Sequence, residues 1–336
     1  MSQWPTPYPP PRRSRGVTTA PPGSGYTEQA RNERRGCLRE ILGTLVLLLL
    51  TASFGAAVYL TAVITAVLLN AEPFRLQGDE IFDAPLPEQA LALLLLATAI
   101  PATLLAARWV QRRPPGTLSS VTGRLRLRWL GYCFAVITPL LALQLGLLLL
   151  WAVLAGEADF SDTRFPGWQT VLLSLAVLWA LVPFQAAAEE YVFRGWLLQA
   201  FGAMLRAPWL GVAISSVLFA LAHGYGGLPG FLLLVYSAVW WAWLTMRTGG
   251  LEAVIALHSV NNMLAFALIV TTDALGEDPT TAAHASWQAL VMELLFVPLY
   301  CLLLSHLAKR RNIETVSGGS GGSGGGSSSG SSGVSS

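Results

Sequence analysis

Long apolar runs separated by short polar stretches dominate the chain. Eight such runs stand near 41–69, 90–110, 129–154, 170–189, 209–223, 229–246, 251–271 and 286–307. An α-helix rises 1.5 Å per residue, so about 20 apolar residues cover the roughly 30 Å hydrocarbon core of a bilayer. Most of the runs reach that length. The pattern predicts an all-α, polytopic membrane bundle of about eight transmembrane helices. The fifth run, Trp209 to His223, is short, and its start is the least sharply marked.

The polar stretches alternate in sign. The leader carries seven arginines, and Arg112, Arg113, Arg124, Arg126 and Arg128 lie between the second and third runs. Arg194 and Arg206, then Arg247, then Lys309, Arg310 and Arg311 continue the basic series, two runs apart each time. The intervening stretches hold Glu72, Asp79, Glu80, Asp83 and Glu88, then Glu157, Asp159 and Asp162, then Asp273, Glu277 and Asp278. Basic loops mark the cytoplasmic side, which supports eight crossings independently of hydropathy. The chain reads as a multi-pass protein of the plasma (inner) membrane with both termini in the cytoplasm. Tryptophans near span ends (Trp109, Trp129, Trp168, Trp209, Trp287) fit interfacial belts.

Composition agrees: 53% of the 336 residues are apolar and 12% charged, against about 25% charged in soluble domains. The lipid bilayer is the expected surrounding, and no nucleic-acid partner is expected. Cys37, Cys133 and Cys301 are scattered, with neither ligand spacing nor a disulfide framework, and read as small hydrophobes. Residues 1–40 form a Pro/Arg-rich tail whose composition predicts disorder, and a solvated tail is preferred to a proline-rich docking motif. Residues 41–308 are the transmembrane domain. Residues 309–336 are a basic end followed by a flexible Gly/Ser tail. The leucine–arginine alternation of Leu118 to Leu130 is read as the basic flank of the third span.

Several polar groups lie where hydrocarbon is expected. Glu189 and Glu190 follow the almost wholly apolar run Leu172 to Ala188. Ionisable groups at that depth cost a few kcal/mol each and usually face a bundle interior or a wet cavity. Helical spacing puts Glu190 and Arg194 one turn apart, where they can pair. Glu189 projects about 100° away and has no opposite charge at i+3 or i+4. The chain has four histidines; His284 lies in an outer loop and His306 at a basic span end. The other two are embedded: His223 closes Phe219-Ala-Leu-Ala-His223, and His258 shares a helical face with Asn262.

A single His–Asn pair is accounted for by interhelical hydrogen bonding. Two carboxylates, an arginine, two histidines and an asparagine within residues 189–262 ask for more. They contain the parts to activate water with a buried carboxylate and to hold an oxyanion on imidazole and amide donors. Equally, Glu189, His223 and His258 could supply three ligands to a catalytic zinc and leave a fourth position for water. These residues do not choose between the two chemistries. No serine or cysteine among them has a nucleophile context.

Glu189-Glu190-x-x-x-Arg194, Phe219-x-x-x-His223 and His258-x-x-x-Asn262 follow in that order on successive spans. Intervals of 34 and 35 residues separate Glu189, His223 and His258. Together they resemble the CAAX protease and bacteriocin-processing (Abi) family, which includes the type II CAAX prenyl endopeptidases. The resemblance covers roughly residues 170–270. It implies a helical intramembrane endopeptidase, with its site opening toward the cytoplasm, acting on a membrane-associated and in some members prenylated polypeptide. By the same resemblance Glu189 is the base that activates water, and His223 assists it. Glu190 and Arg194 form a supporting ion pair, and His258 with Asn262 bind the oxyanion. No cofactor is expected on this reading, with zinc the alternative.

The spans as first drawn do not let these groups meet. Glu189 falls about 28 Å along a helix entering at Thr170 from outside, whereas His223 falls about 21 Å along one entering at Trp209 from inside. A fourth helix that continues past the carboxylates toward Leu205, with Pro183 available to kink it, removes the conflict. Two other classes compete with an enzyme. A transporter or channel would run a Glu/His ion pathway and should show inverted repeats, yet no second copy of these motifs occurs in the first half. A non-catalytic immunity or scaffold protein would keep the architecture without needing Glu189.

Overall fold

The computed structural model is all-α. It describes residues 16–33, 36–68, 81–82, 84–157, 163–205, 207–276 and 282–318. Residues 1–15, Arg34, Arg35, Arg206, most of the acidic residues of the alternate loops and the Gly/Ser stretch 319–336 lie outside them. The helices are α1 (Cys37–Leu68), α2 (Pro85–Ala97), α3 (Ala99–Trp109), α4 (Leu127–Leu154) and α5 (Trp168–Glu190). After α5 come a π-helical segment (Tyr191–Leu197) and α6 (Leu198–Met204). The series ends with α7 (Pro208–Ala222), α8 (Leu228–Thr248), α9 (Glu252–Thr271) and α10 (Trp287–Arg310).

Seven stretches among the described residues are long and apolar enough to cross a membrane. They are α1, α2 with α3, α4, α5 through α6, α8, α9 and α10. An eighth apolar helix, α7, has 15 residues and falls short of that length. The protein is therefore an integral, multi-pass membrane protein, and the eight runs read from the sequence fall on these eight helical stretches, seven of them long enough to span.

Proline accounts for one break. Pro101 cannot donate to the Ala97 carbonyl, and the α2–α3 pass is interrupted there at Thr98. Pro139, Pro183 and Pro298 are carried inside α4, α5 and α10. Helix α9 is the axis of the bundle. All of Glu252 to Val260 is buried, with α5 and α4 packed against it.

At one end of the bundle, hydrogen bonds tie together the segments that alternate crossings would place on one side. Val121 donates to Gly249 O (2.9 Å) and Leu251 to Ser119 O (2.9 Å). Arg126 grips both oxygens of buried Glu252 (2.9 and 2.7 Å) and donates to the carbonyls of Thr248 and Glu314. Ser119 to Arg126 thus leads into α4 as its flank. Segments from both ends of the chain meet there too: Gly25 bridges Val316, and Ser317 donates to Ser24 O (2.9 Å).

That packing corrects the reading of the leader. Residues 16–33 are not a solvated tail but a strap laid across this end. Composition misses it because one aromatic and a set of polar contacts hold it. Tyr26 is buried and donates to Leu118 O. Asn32 donates to Gln111 O (3.1 Å) and Arg31 to Gly202 O (2.9 Å). Beneath it, fully buried Arg113 donates to Gln111, Thr117 and Gln199. Burial draws its pKa down to about 10 against the pull of nearby Glu40 and Tyr26, so it stays charged at neutral pH.

The strap crosses α6 at Gly202, where an added Cβ would stand 2.2 Å from the Thr27 carbonyl oxygen. Gly202→Val should therefore lift the strap. Overpacking of about 1–3 kcal/mol corresponds to roughly tenfold or faster trypsin cleavage after Arg31 in the folded, detergent-solubilised protein. Cleavage unchanged from wild type would show that the strap bears no load there.

A second intramembrane polar cluster had no counterpart in the sequence reading. On α10, Glu293 accepts from Ser237 of α8 (2.7 Å) and from Gln144 of α4 (2.9 Å). Tyr300 also donates to Gln144. Its acceptors are filled from two neighbouring helices, so it joins three passes to one another.

Candidate active site

The helix that carries Glu189 and Glu190 does not stop at them. The π segment and α6 carry it to Met204, and α7 turns back at Pro208, a favourable first-turn residue. From Glu190 to Met204 and from Pro208 to Ala222 the chain advances the same number of residues, about 21 Å each at 1.5 Å per residue. The two legs match, so α7 ends level with the carboxylates and delivers His223 to them. The expected continuation toward Leu205 is found, and it reconciles the two depths. The α5 helix runs unbroken through Pro183.

The π segment is anchored on three sides. Its Tyr191 hydroxyl meets Ser119 Oγ at 2.6 Å, and Trp196 donates to Thr44 of α1 at 3.0 Å. A Cβ at Gly43 would stand 2.8 Å from the Trp196 ring, so glycine is what lets the indole approach α1. Just beyond, Gln199 of α6 donates to Thr117 O at 2.9 Å. Wider π turns inside α-helices are frequent at functional sites because they re-aim the side chains around them.

All six residues singled out from the sequence converge. Glu190 and Arg194 are 0% and 1% exposed, and Arg194 Nη1 donates to Glu190 Oε1 at 3.0 Å. The guanidinium lies over Phe219 (4.2 Å to the ring centre) and near Trp241 (5.3 Å), with cation–π attraction in a desolvated setting. Glu190 Oε1 also meets His258 Nδ1 at 2.8 Å. A carboxylate paired with arginine only accepts, so Nδ1 carries the proton and Nε2 is turned the other way.

That Nε2 faces Glu189 Oε2 at 3.7 Å, and His223 Nε2 faces the same oxygen at 3.8 Å. His223 Nδ1 lies 2.9 Å from Phe219 O, a carbonyl that can only accept, so in the neutral ring Nδ1 is again the protonated nitrogen. Glu189 Oε2 is buried and has no hydrogen-bond partner among the described residues. Separations just under 4 Å are too long for direct hydrogen bonds.

Three contributors were not singled out by the sequence reading. Gln185, one turn before Glu189, donates Nε2 to Glu189 Oε1 and accepts from Asn262 Nδ2 at 3.0 Å. Its signal was present as a polar residue four positions before Glu189 in an apolar run. Phe219, noted only as part of a motif, packs against Arg194, His223 and His258. Trp241 lies 5.1 Å from the His258 ring, and nothing in its Trp-rich surroundings distinguishes it.

Among the described residues no group of three or more His, Cys, Asp or Glu is arranged to hold a metal ion. The nearest set is Glu189 with the imidazoles of His223 and His258, at 3.8 and 3.7 Å.

Comparison with known proteins follows the same residues. Residues 168–264 match the family model described as Type II CAAX prenyl endopeptidase Rce1-like. The chain is also similar to the uncharacterized protein YyaK of Bacillus subtilis (strain 168). The two are 28% identical over 248 residues, covering 70% of this chain and 81% of that protein. No solved structure matches. The match assigns residues 168–264, and not the whole chain, to an Rce1-like type II CAAX prenyl endopeptidase domain.

Proposed function

We propose that the protein is an intramembrane endopeptidase that hydrolyses a peptide bond of a membrane-associated polypeptide with water activated by Glu189. One observation carries the reading: Glu189 Oε2, buried and without a hydrogen-bond partner among the described residues, faces the Nε2 atoms of His223 and His258 at 3.8 and 3.7 Å. A water there donates one hydrogen to Oε2 and the other to His223 Nε2, which leaves its lone pair for the scissile carbonyl carbon. Glu189 takes the proton as the carbon–oxygen bond forms. It returns the proton to the nitrogen when the carbon–nitrogen bond breaks.

The carbonyl oxygen becomes negative in the intermediate and falls to Asn262 and His258. His258 can donate from Nε2 only as imidazolium, because Nδ1–H is already given to Glu190. In that form Glu189, Glu190, Arg194 and His258 sum to zero charge. Buried Glu190 thus orients His258 and offsets its charge, and Arg194 in turn neutralises Glu190. By the family resemblance the site opens toward the cytoplasm, the side on which the loop charges place the meeting of residues 24–25 with 316–317. Prenylated CAAX proteins are one candidate substrate class, suggested by the family match of residues 168–264.

The test is cleavage by the purified full chain in lipid. A farnesylated CAAX peptide is offered alongside a membrane-protein mixture read by labelling of new termini, with EDTA and 1,10-phenanthroline in parallel arms. New termini that persist with chelators are expected. Loss of activity under both chelators would move the chemistry to a metal. No new termini in either pool would remove the protease reading and bring ion flux in proteoliposomes forward.

A further inference from the structure

Among the described residues, Gln185 is the one polar side chain hydrogen-bonded to both the proposed base and the proposed oxyanion amide. We propose that it is a positioning residue for the reaction, one that assigns separate tasks to the two oxygens of Glu189 and fixes which way the Asn262 amide points. The proposal rests on the protease reading above and goes beyond it, since none of the three motifs contains this position.

The argument is one of donor and acceptor polarity. A carboxylate oxygen only accepts, so the Gln185 atom against Glu189 Oε1 is Nε2. The amide is planar, and its oxygen then lies on the other side, where only a donor can meet it. Asn262 supplies that donor through Nδ2 at 3.0 Å. The next member keeps the same sense: Asn261 Nδ2 lies 3.4 Å from Asn262 Oδ1. Reversing either amide would set oxygen against oxygen or nitrogen against nitrogen, so the charge on Glu189 propagates a single orientation through Gln185 to Asn262.

Two consequences follow for the chemistry. Oε1 of Glu189 is occupied by Gln185, which leaves Oε2 as the basic atom, and Oε2 is the oxygen that faces both histidines. One N–H of Asn262 is held by Gln185, and the second is presented in a known sense for the developing oxyanion. Without Gln185 the Asn262 amide can turn over and offer its oxygen to a negative charge. Helix geometry makes the arrangement compact: Gln185 and Glu189 are one turn apart on α5, and Asn262 comes from α9, which packs against α5.

The experiment is steady-state cleavage of a farnesylated CAAX peptide by the full chain in lipid. Wild type is compared with Gln185→Met, Asn262→Ala, the double variant, and Glu189→Gln as the reference for an inactive base. Methionine keeps the length of the side chain and removes both polar contacts. The expected result for Gln185→Met is a fall in kcat of about 10- to 100-fold with KM within about twofold, the scale of a misaligned catalytic donor. The double variant should be no slower than about threefold below the worse single one, because Gln185 acts through Asn262 and Glu189.

Gln185→Glu is a second variant of the same shape that lacks the N–H donor, and it should lose kcat at least as far. It keeps the test open if the methionine variant does not fold. Wild-type kcat in a folded Gln185 variant, a loss confined to KM, or losses that multiply with Asn262→Ala would each overturn the proposal while leaving Glu189 as base. A wild type that cleaves nothing would take both readings down together.

Discussion

Glu189→Gln is expected to reduce peptide cleavage by about 10²- to 10⁴-fold, the usual contribution of a general base. The substitution is nearly isosteric, and its amide oxygen can still accept from Gln185. Its effect on folding should therefore be small, and the protein should unfold within a few degrees of wild type. What disappears is a basic oxygen opposite His223 and His258. A neutral amide accepts a hydrogen bond from water without removing the proton, so binding survives and chemistry does not. The decisive readout is kcat with KM little changed. A variant that cleaves at more than about a tenth of the wild-type rate would remove Glu189 from the role of base.

Arg194→Met is expected to act on stability rather than on chemistry alone. It leaves Glu190, 0% exposed, without its arginine and with the His258 Nδ1 contact as its remaining partner among the described residues. Breaking a buried pair from one side costs about 3–5 kcal/mol. The unfolding temperature in detergent should fall sharply, or the folded form should be lost on purification. Replacing both partners with apolar residues (Glu190→Leu with Arg194→Met) removes the stranded charge, and stability should recover in large part. Activity should not recover, because His258 Nδ1 loses the carboxylate that orients it. A double variant less stable than Arg194→Met would show that the pair holds the helix by its own attraction. Full activity in the double variant would separate Glu190 from His258.

The passes were legible because two independent signals coincided, apolar length and the sign of the connecting charges. The site was legible because polar residues stand out sharply in hydrocarbon: Glu189, Glu190, His223 and His258 each interrupt an apolar face. Even the extension of α5 into α6 followed from a conflict of depths in the sequence. The π segment did not, because Tyr191 to Leu197 reads the same whether its turns close at four residues or at five. The strap escaped for the opposite reason. Its ordering comes from Tyr26, Arg31 and Asn32 reaching backbone carbonyls of distant segments, and such partners leave no trace in local composition. Glu293 was an isolated carboxylate in α10 whose partners, Ser237 and Gln144, lie on two other helices.

The matched legs of α6 and α7 make the chain between Glu190 and His223 a ruler. Adding one residue to a helix rotates everything beyond it by about 100° and shifts it by 1.5 Å. One alanine inserted within α7 would swing the His223 imidazole off the Glu189 oxygen although no residue of the site had changed. Activity should vanish while the unfolding temperature falls only modestly. The same alanine placed after Thr272, in the connection that follows α9, should be silent. On the proposed mechanism length itself is a catalytic specification, and insertions should be tolerated at the other connections before they are tolerated between residues 190 and 223.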